Sequence, residues 1–409
     1  MLTPLEDIRA EILAACSPLP VVVQLLPDAL GCVAAEPVTA PADVPAWANT
    51  AMDGYAVRAE DTEDAPVQLD VIGLLPAGAA PDPARPVGRG QAIRIMTGAP
   101  MPPGADAVVM VERTTPLDGG AAVRVEVPVT VDQNVRHAGS DLAAGQEVVA
   151  AGTVLTPPLL GVIATVGRDQ VAVHRRPRVG VLSTGDELVE PPEALAPGQI
   201  YDSNRPMLLA SVADSGWIAV DLGSARDDAD AIAAALEEGL DRCDAVLLTG
   251  GVSVGDFDFV AEVFRRLGTS RTWDVAMKPG KPLAWGLLKG RPVFGLPGNP
   301  VSAAVSFEVF ARPAIRLLAG HPEPVVPLVT ATAAEGFDRR PDGKVHLVRA
   351  VATWDDGRIS VRSAGGQGSH MLGTLAAGNA LVVLVDGAGA EAGDAVPIMP
   401  LGWPVQPSF

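Results

Sequence analysis

The sequence predicts a multi-domain protein of α/β plus β type, built around a central doubly wound parallel sheet. Three observations carry this. Between residues 177 and 322, buried-type apolar runs alternate with stretches of helical spacing, the pattern of a parallel sheet covered on both faces. Residues 40–139 are instead rich in Pro, Gly and Val in short alternating runs such as PVQLDVIG, AVVMVERT and AAVRVEVP, which reads as a mostly β domain. From about residue 323 short strands return as PLVTATAAE, VHLVRAVATW, ISVRSAG and ALVVLVDG, predicting a small C-terminal β domain of barrel type.

Taken in order, residues 3–16 read as one helix, with Thr3 as N-cap and Pro4 at the first helical position. Residues 140–173 read as a short connecting segment that packs back on this helix. PRVGVLST is then a buried-type strand, and DSNRPMLLASVADSG a helix opened by Asp202 or Ser203. WIAVDLGS is a strand, DADAIAAALEEGLDRC a helix, DAVLLTG a strand and FDFVAEVFRRLG a helix. The strand RPVFGLP runs into another glycine turn and helix, GNPVSAAVSFEVF. Ligands of such sheets sit outside the carboxyl ends of the strands. The loops that matter are therefore STGDELVEP, GSARDDAD and TGGVSVGDFDF, and all three carry acids.

Composition bounds the function. The chain has 409 residues, of which 48% are hydrophobic and 19% charged, so it can bury sizeable cores. A net charge of -19 argues against a nucleic-acid surface, which needs a basic stripe. A small anionic ligand is compatible with that charge only beside a local cation, since charges beyond ~8 Å are largely screened. Cys16, Cys32 and Cys243 have neither metal-ligand spacing nor a disulfide framework, and the five histidines are scattered, so no structural zinc site is expected. The acidic start MLTPLEDIRAEILAAC does not resemble a signal peptide. No apolar run approaches the ~20 residues that span a bilayer, and a cytoplasmic location without membrane contact is expected.

The candidate chemistry centres on TGGVSVGDFDF, residues 249–259. A strand, a glycine turn and a helix start normally cradle phosphate. Here the turn lacks the Walker lysine and runs into Asp256 and Asp258. Taken singly, Glu187, Asp227, Asp256 and Asp258 read as helix N-caps or first-turn acids. Together at the carboxyl ends of one sheet they would repel unless a cation joins them. Carboxylates with waters and a substrate phosphate suit Mg²⁺. Only four of the 30 basic residues are lysines, and Lys278 and Lys281 stand together in MKPGKP. That spacing suggests a compact ammonium, with a polar turn as the plainer reading. Pro297 and Pro300 stiffen the turn that orients Asn299, an anion or pterin wall or simply a rigid turn. Asp53 in TAMDGYAVR and Thr97 in IMTGAP are equally open to a role in turn chemistry.

Together these segments resemble the molybdopterin molybdenumtransferase family, called MoeA in bacteria and related to the gephyrin E domain. The resemblance rests on TAMDGYAVR, IMTGAPMPPGADAVV, GSDLAAGQ, GVLSTGDEL, GQIYDSNRPML, LLTGGVSVGDFD, MKPGKP and GLPGNPVSAAVSF, in that order and across nearly the whole chain. It implies an elongated homodimer of four-domain subunits. These are a bipartite linking domain at 1–42 and 140–173, a β-rich domain inserted at 43–139, a molybdopterin-binding α/β domain at 174–322 and a C-terminal β-barrel at 323–409. It also implies a site shared between the α/β domain of one subunit and the inserted domain of its partner. The implied reaction takes adenylated molybdopterin and molybdate, hydrolyses the adenylate with Mg²⁺, inserts molybdenum at the dithiolene and releases AMP. The resemblance makes Asp53, Thr97, Asp141, Glu187, Asp227 and Asp258 the catalytic set, with Glu187, Asp227 and Asp258 as metal ligands. It makes Gly250, Gly251, Ser253, Lys278, Lys281, Pro297, Asn299 and Pro300 binding positions. Asp274 and Ala261 depart from the pattern, standing where some relatives carry basic residues, and this bears on anion affinity. Transient contact with other proteins of the pathway is also implied. Two alternatives stand beside this reading. A molybdopterin adenylyltransferase would be essentially the α/β domain alone, and a non-catalytic scaffold would have no need of these acids and lysines.

Overall fold

The computed structural model describes residues 2–250, 259–355, 357–387 and 389–401. The chain forms two compact units, one of Met1–Val22, Gly31–Ala35 and Ala172–Phe409, the other of Val23–Leu30 and Glu36–Val171. The first helix falls in the first unit and residues 140–171 in the second, so the grouping of 1–42 with 140–173 rests on the resemblance alone.

The first unit is organised by a six-stranded sheet. Its order is Ile218–Ala225, Arg178–Thr184, Ala245–Thr249, Arg291–Leu296, Pro282–Leu288 and Gly268–Asp274. The first four strands run parallel, and these are the four legible in the sequence. The last two are antiparallel additions. GTSRTWD escaped notice because an edge strand of polar residues shows no apolar run. Pro282–Leu288 returns into Arg291–Leu296 through Lys289 and Gly290, with φ of 50° and 76°. Two left-handed residues give the turn whose twist matches a hairpin.

Successive residues of each strand face opposite sides of a sheet, and the cores record this. Val179, Val181, Leu247, Phe294 and Leu296 enter one core. Leu182, Val246, Leu248 and Val293 enter the other. Leu208 and Val212 of the helix Asn204–Asp214, with Phe307, Phe310 and Ile315, cover the first face. The helices Ala229–Arg242 and Phe259–Leu267 cover the second through Ile232, Leu236, Val263 and Phe264. The sheet is therefore wound on both sides, as expected.

The first helix spans Leu5–Ala14 and buries Leu5, Ile8 and Ile12 in the first core. Thr3 is not its cap. The Thr3 N–H donates to the Asp274 carbonyl (2.9 Å) and its carbonyl accepts from Ala276 N–H (2.8 Å). Sheet-like pairing has claimed the backbone that a cap would need, and Pro4 takes the cap position. Asp228 does cap its helix, accepting from Ala231 N–H at 2.9 Å.

Past the sheet, Val345–Asp355 pairs with both Arg358–Ser363 and Ala380–Leu384. Ala395–Pro400 joins Ala380–Leu384 to Val329–Ala333, which pairs with Arg358–Ser363. The ring closes as a five-stranded barrel, the C-terminal barrel that the short strands predicted. Met277–Lys278 adds alongside Val345–His346. The second unit holds its own six-stranded sheet. Its order is Ala107–Met110, Gly54–Val57, Gln91–Ile95, Val67–Leu75, Ala122–Val125 and Thr114–Leu117, around Tyr55, Leu69, Val109 and Val123.

Phe310 is fully buried in the core that seats the first helix. Phe310→Ala should cost about 3–5 kcal/mol by removing a ring from a packed site. The check is the midpoint of urea unfolding, and an unmoved midpoint would mean that the Phe310 ring is not tightly packed in this core.

Candidate active site

The chain leaves Arg178–Thr184 for its neighbour on one side, Ile218–Ala225, then crosses to its other side at Ala245–Thr249. Such a reversal opens a crevice at the carboxyl ends of the strands. A cavity of about 490 Å³ lies there, within the ~300–1,000 Å³ usual for small-molecule sites.

Its floor is made of strand ends. Ser183, Thr184 and Thr249 are almost wholly buried, so their hydroxyls need internal partners or a ligand. Ser183 Oγ donates to Asp202 Oδ2 at 2.6 Å. Asn204 Nδ2 donates to Thr249 Oγ1 at 2.8 Å and to the Gly298 carbonyl at 2.7 Å. These bonds pin the Pro297–Pro300 turn against the strand ends. Gly250 adopts φ +95°, and a Cβ there would lie 2.1 Å from the Thr184 carbonyl oxygen. Only glycine lets the two strand ends approach this closely.

The acids stand at one side. Glu187 and Asp227 both line the cavity, and Asp227 N–H donates to Asp186 Oδ1 at 3.3 Å. Burial, then the neighbouring Glu187 and Asp186 carboxylates, hold the Asp227 carboxyl above its usual range. Asp227 Oδ1, Asn204 Oδ1 and Thr184 Oγ1 are buried with no hydrogen-bond partner among the described residues. Unsatisfied oxygens of this kind suit a cation or the donors of a ligand. No lysine or arginine lines the cavity among the described residues. Nor do the described residues hold three acids, histidines or cysteines grouped to bind a metal.

The expected residues thus divide. The structure gathers Glu187, Asp227, Gly250, Pro297, Asn299 and Pro300 around one cavity. Gly251, Ser253 and Asp258, with Asp256, lie outside the described residues. Lys278 lines a different cavity of about 590 Å³ beside His346 and Asp342. Lys281 pairs through Nζ with Asp274 Oδ2 at 3.1 Å, so Asp274 draws on a lysine's charge. In the second unit Thr97 N–H and Oγ1 both donate to Asp53 Oδ1 at 2.7 Å. These bonds hold the exposed Asp53 carboxyl below its usual range. Asp141 sits at an exposed bend, its N–H donating to the Val44 carbonyl at 3.0 Å. Sequence reasoning missed Asp202 and Asn204, which it read only as a helix start. The available signal was the polar run DSN directly after the short strand Ile200–Tyr201 at the site.

The comparisons with known proteins show the family. The family model for the MoeA N-terminal region (domain I and II) matches residues 3–167. The probable molybdopterin binding domain matches 180–317, and the MoeA C-terminal region (domain IV) 330–401. A Mycobacterium tuberculosis protein named molybdopterin molybdenumtransferase 2 is 42% identical over 390 residues, covering 92% of this chain and 93% of that protein. The chain belongs to the MoeA family. A Haemophilus influenzae molybdopterin molybdenumtransferase is 37% identical over 377 residues, covering 92% of each. The crystal structure of the MoeA protein of Pyrococcus horikoshii OT3 superposes with a TM-score of 0.80 at 29% identity, covering 97% of this chain and 99% of that one.

A carboxyl held above its usual range binds its proton more tightly in the folded than in the unfolded chain. Folding therefore loses stability as pH rises through that value. Asp227→Asn should then melt higher than the parent at pH 7.5 in metal-free buffer. The gap should close as pH falls below the ordinary aspartate value of 3.8. A lower melting temperature for the variant at pH 7.5 would count against a frustrated carboxylate.

Proposed function

We propose that this MoeA-family chain performs the reaction for which its relatives are named. It is a molybdopterin molybdenumtransferase acting in molybdenum cofactor biosynthesis. In the finer reading the substrates are adenylated molybdopterin and molybdate, and Mg²⁺ assists. Water adds to the adenylate, the bond between its two phosphates breaks and AMP leaves; the dithiolene sulfurs then bond to molybdenum as an oxo ligand of molybdate departs with two protons as water. The observation that supports this best is the acid-lined cavity at the sheet's switch point, with a buried Asp227 oxygen facing no donor among the described residues.

In this reading Glu187 and Asp227 hold the metal, with Asp258 assigned beside them by its motif. When bound, Mg²⁺ neutralises charge on the phosphates being parted. Asn204 and Thr249 keep the floor rigid, and the turn at Pro297, Asn299 and Pro300 forms a wall for the pterin. Gly250 leaves room for close backbone approach, with Gly251 and Ser253 assigned to the phosphates by motif. Lys278 and Lys281 are assigned to molybdate by their motif alone, since an oxyanion suits ammonium groups better than carboxylates; Lys278 lines a separate cavity and Lys281 is paired with Asp274. Asp274 tempers that attraction at Lys281. A homodimer would bring Asp53, with its Thr97 donors, and Asp141 from the partner chain to complete the site. A cytoplasmic setting and transient contact with pathway proteins belong to the same proposal, and no described helix is long and apolar enough to cross a membrane.

The test is AMP release from adenylated molybdopterin, with and without molybdate and Mg²⁺ and in the absence of ATP. AMP should form only when both are present. Glu187→Gln and Asp227→Asn should each lower the rate about 100-fold or more, the scale of losing one preorganised charge partner. Unchanged AMP release in both variants would remove the cavity acids from the mechanism. A need for ATP would point to the adenylyltransferase, and no turnover by folded protein to a scaffold.

A further inference from the structure

Next to Asn204 in the same first helical turn stands Arg205, only 9% exposed and not among the residues lining the cavity. Its guanidinium is consumed by three carboxylates. Nε donates to Asp202 Oδ2 at 3.2 Å, and Nη1 to both Asp221 oxygens at 2.7 and 2.9 Å. Nη2 donates to Glu190. The partners lie on three chain segments that lead to the cavity, and of the three Asp202 lines it. Asp202 is bonded to Ser183 at the end of the central strand. Glu190 lies three residues beyond Glu187 in the same loop. Asp221 lies in the strand that leads to Asp227, and it also accepts from Gly223 N–H at 2.8 Å.

We propose that Arg205 is a positioning residue that sets the spacing of Glu187 and Asp227, and with it the divalent-cation affinity of the cavity, by clamping Glu190 and Asp221 to one buried guanidinium. The inference rests on the reading of this cavity as a metal site. The planar fork matters, because its five donors are fixed in direction while an ammonium on a flexible stem cannot span three carboxylates. Geometry and field make opposite predictions here. If Arg205 acted only as a nearby positive charge, removing it would strengthen cation binding. A clamp instead loosens the ligands when it is lost, so binding weakens even if the charge is kept.

Arg205→Lys keeps the charge and loses the fork, and Mn²⁺ is the probe. Titration of the full chain followed by the EPR signal of free Mn²⁺ should give a dissociation constant about tenfold above that of the parent, as for other groups that orient metal ligands. Far-UV circular dichroism should be unchanged. In the AMP-release assay the Mg²⁺ concentration for half-activation should rise in step while KM for the pterin stays put. Glu190→Asp, at a side chain 58% exposed, keeps the charge but shortens the reach to the guanidinium, and provides the same test if the lysine variant fails to fold, with a smaller rise in the same direction. Unchanged or tighter Mn²⁺ binding in the folded variant overturns the clamp while leaving the metal reading intact. A parent chain that binds no Mn²⁺ overturns the metal reading and the clamp with it.

Discussion

Polar groups at the carboxyl ends of a sheet wrapped on both faces must find partners, and most of this site follows from how they do so. Side chains elsewhere along the strands Arg178–Thr184 and Ala245–Thr249 are divided between two apolar cores. At the ends, Ser183, Thr184 and Thr249 are polar and almost wholly buried. Leaving such a group unpaired costs about 1–3 kcal/mol. The tripeptide at 202–204 supplies partners for two of them, with Asp202 accepting from the Ser183 hydroxyl and Asn204 bridging Thr249 to the Pro297–Pro300 turn. One helix start therefore locks three chain segments around the cavity.

The same ends that are satisfied on one side are frustrated on the other. Burial, with the Glu187 and Asp186 charges, holds the Asp227 carboxyl above its usual range, and Asp227 keeps a buried oxygen without a donor among the described residues. Such an arrangement opposes folding in the free protein and favours whatever positive group arrives. That frustration fits the cation proposed for this site. The nearby cations are committed elsewhere. Arg205 is consumed by three carboxylates and Lys281 by Asp274.

Much of the architecture was legible because it depends on local pattern. The four parallel strands are apolar runs, and the helices between them carry their own start signals, as Asp228 shows. The two antiparallel strands were less legible, since Gly268–Asp274 is polar and is held as a strand by its partner Pro282–Leu288. Thr3 failed as a cap for a similar reason, its backbone being taken by Asp274 and Ala276 more than 270 residues away. Long-range pairing overrides local preference wherever it satisfies the same backbone groups.

By itself the sequence determined the order of strands and helices, hence the end of the sheet where ligands bind, and the motifs that place the chain in its family. These follow from apolar periodicity and from short runs read locally. Only the tertiary structure decided which polar residues turn inward. It separated Lys278 from the Glu187 and Asp227 cavity, drew Asn204 across to Thr249 and Gly298, and made Arg205 the common partner of three distant acids. The direction of a side chain at a strand end or in a first helical turn is set by what packs opposite it. Those neighbours are remote in sequence and become adjacent only when the sheet closes over its two cores.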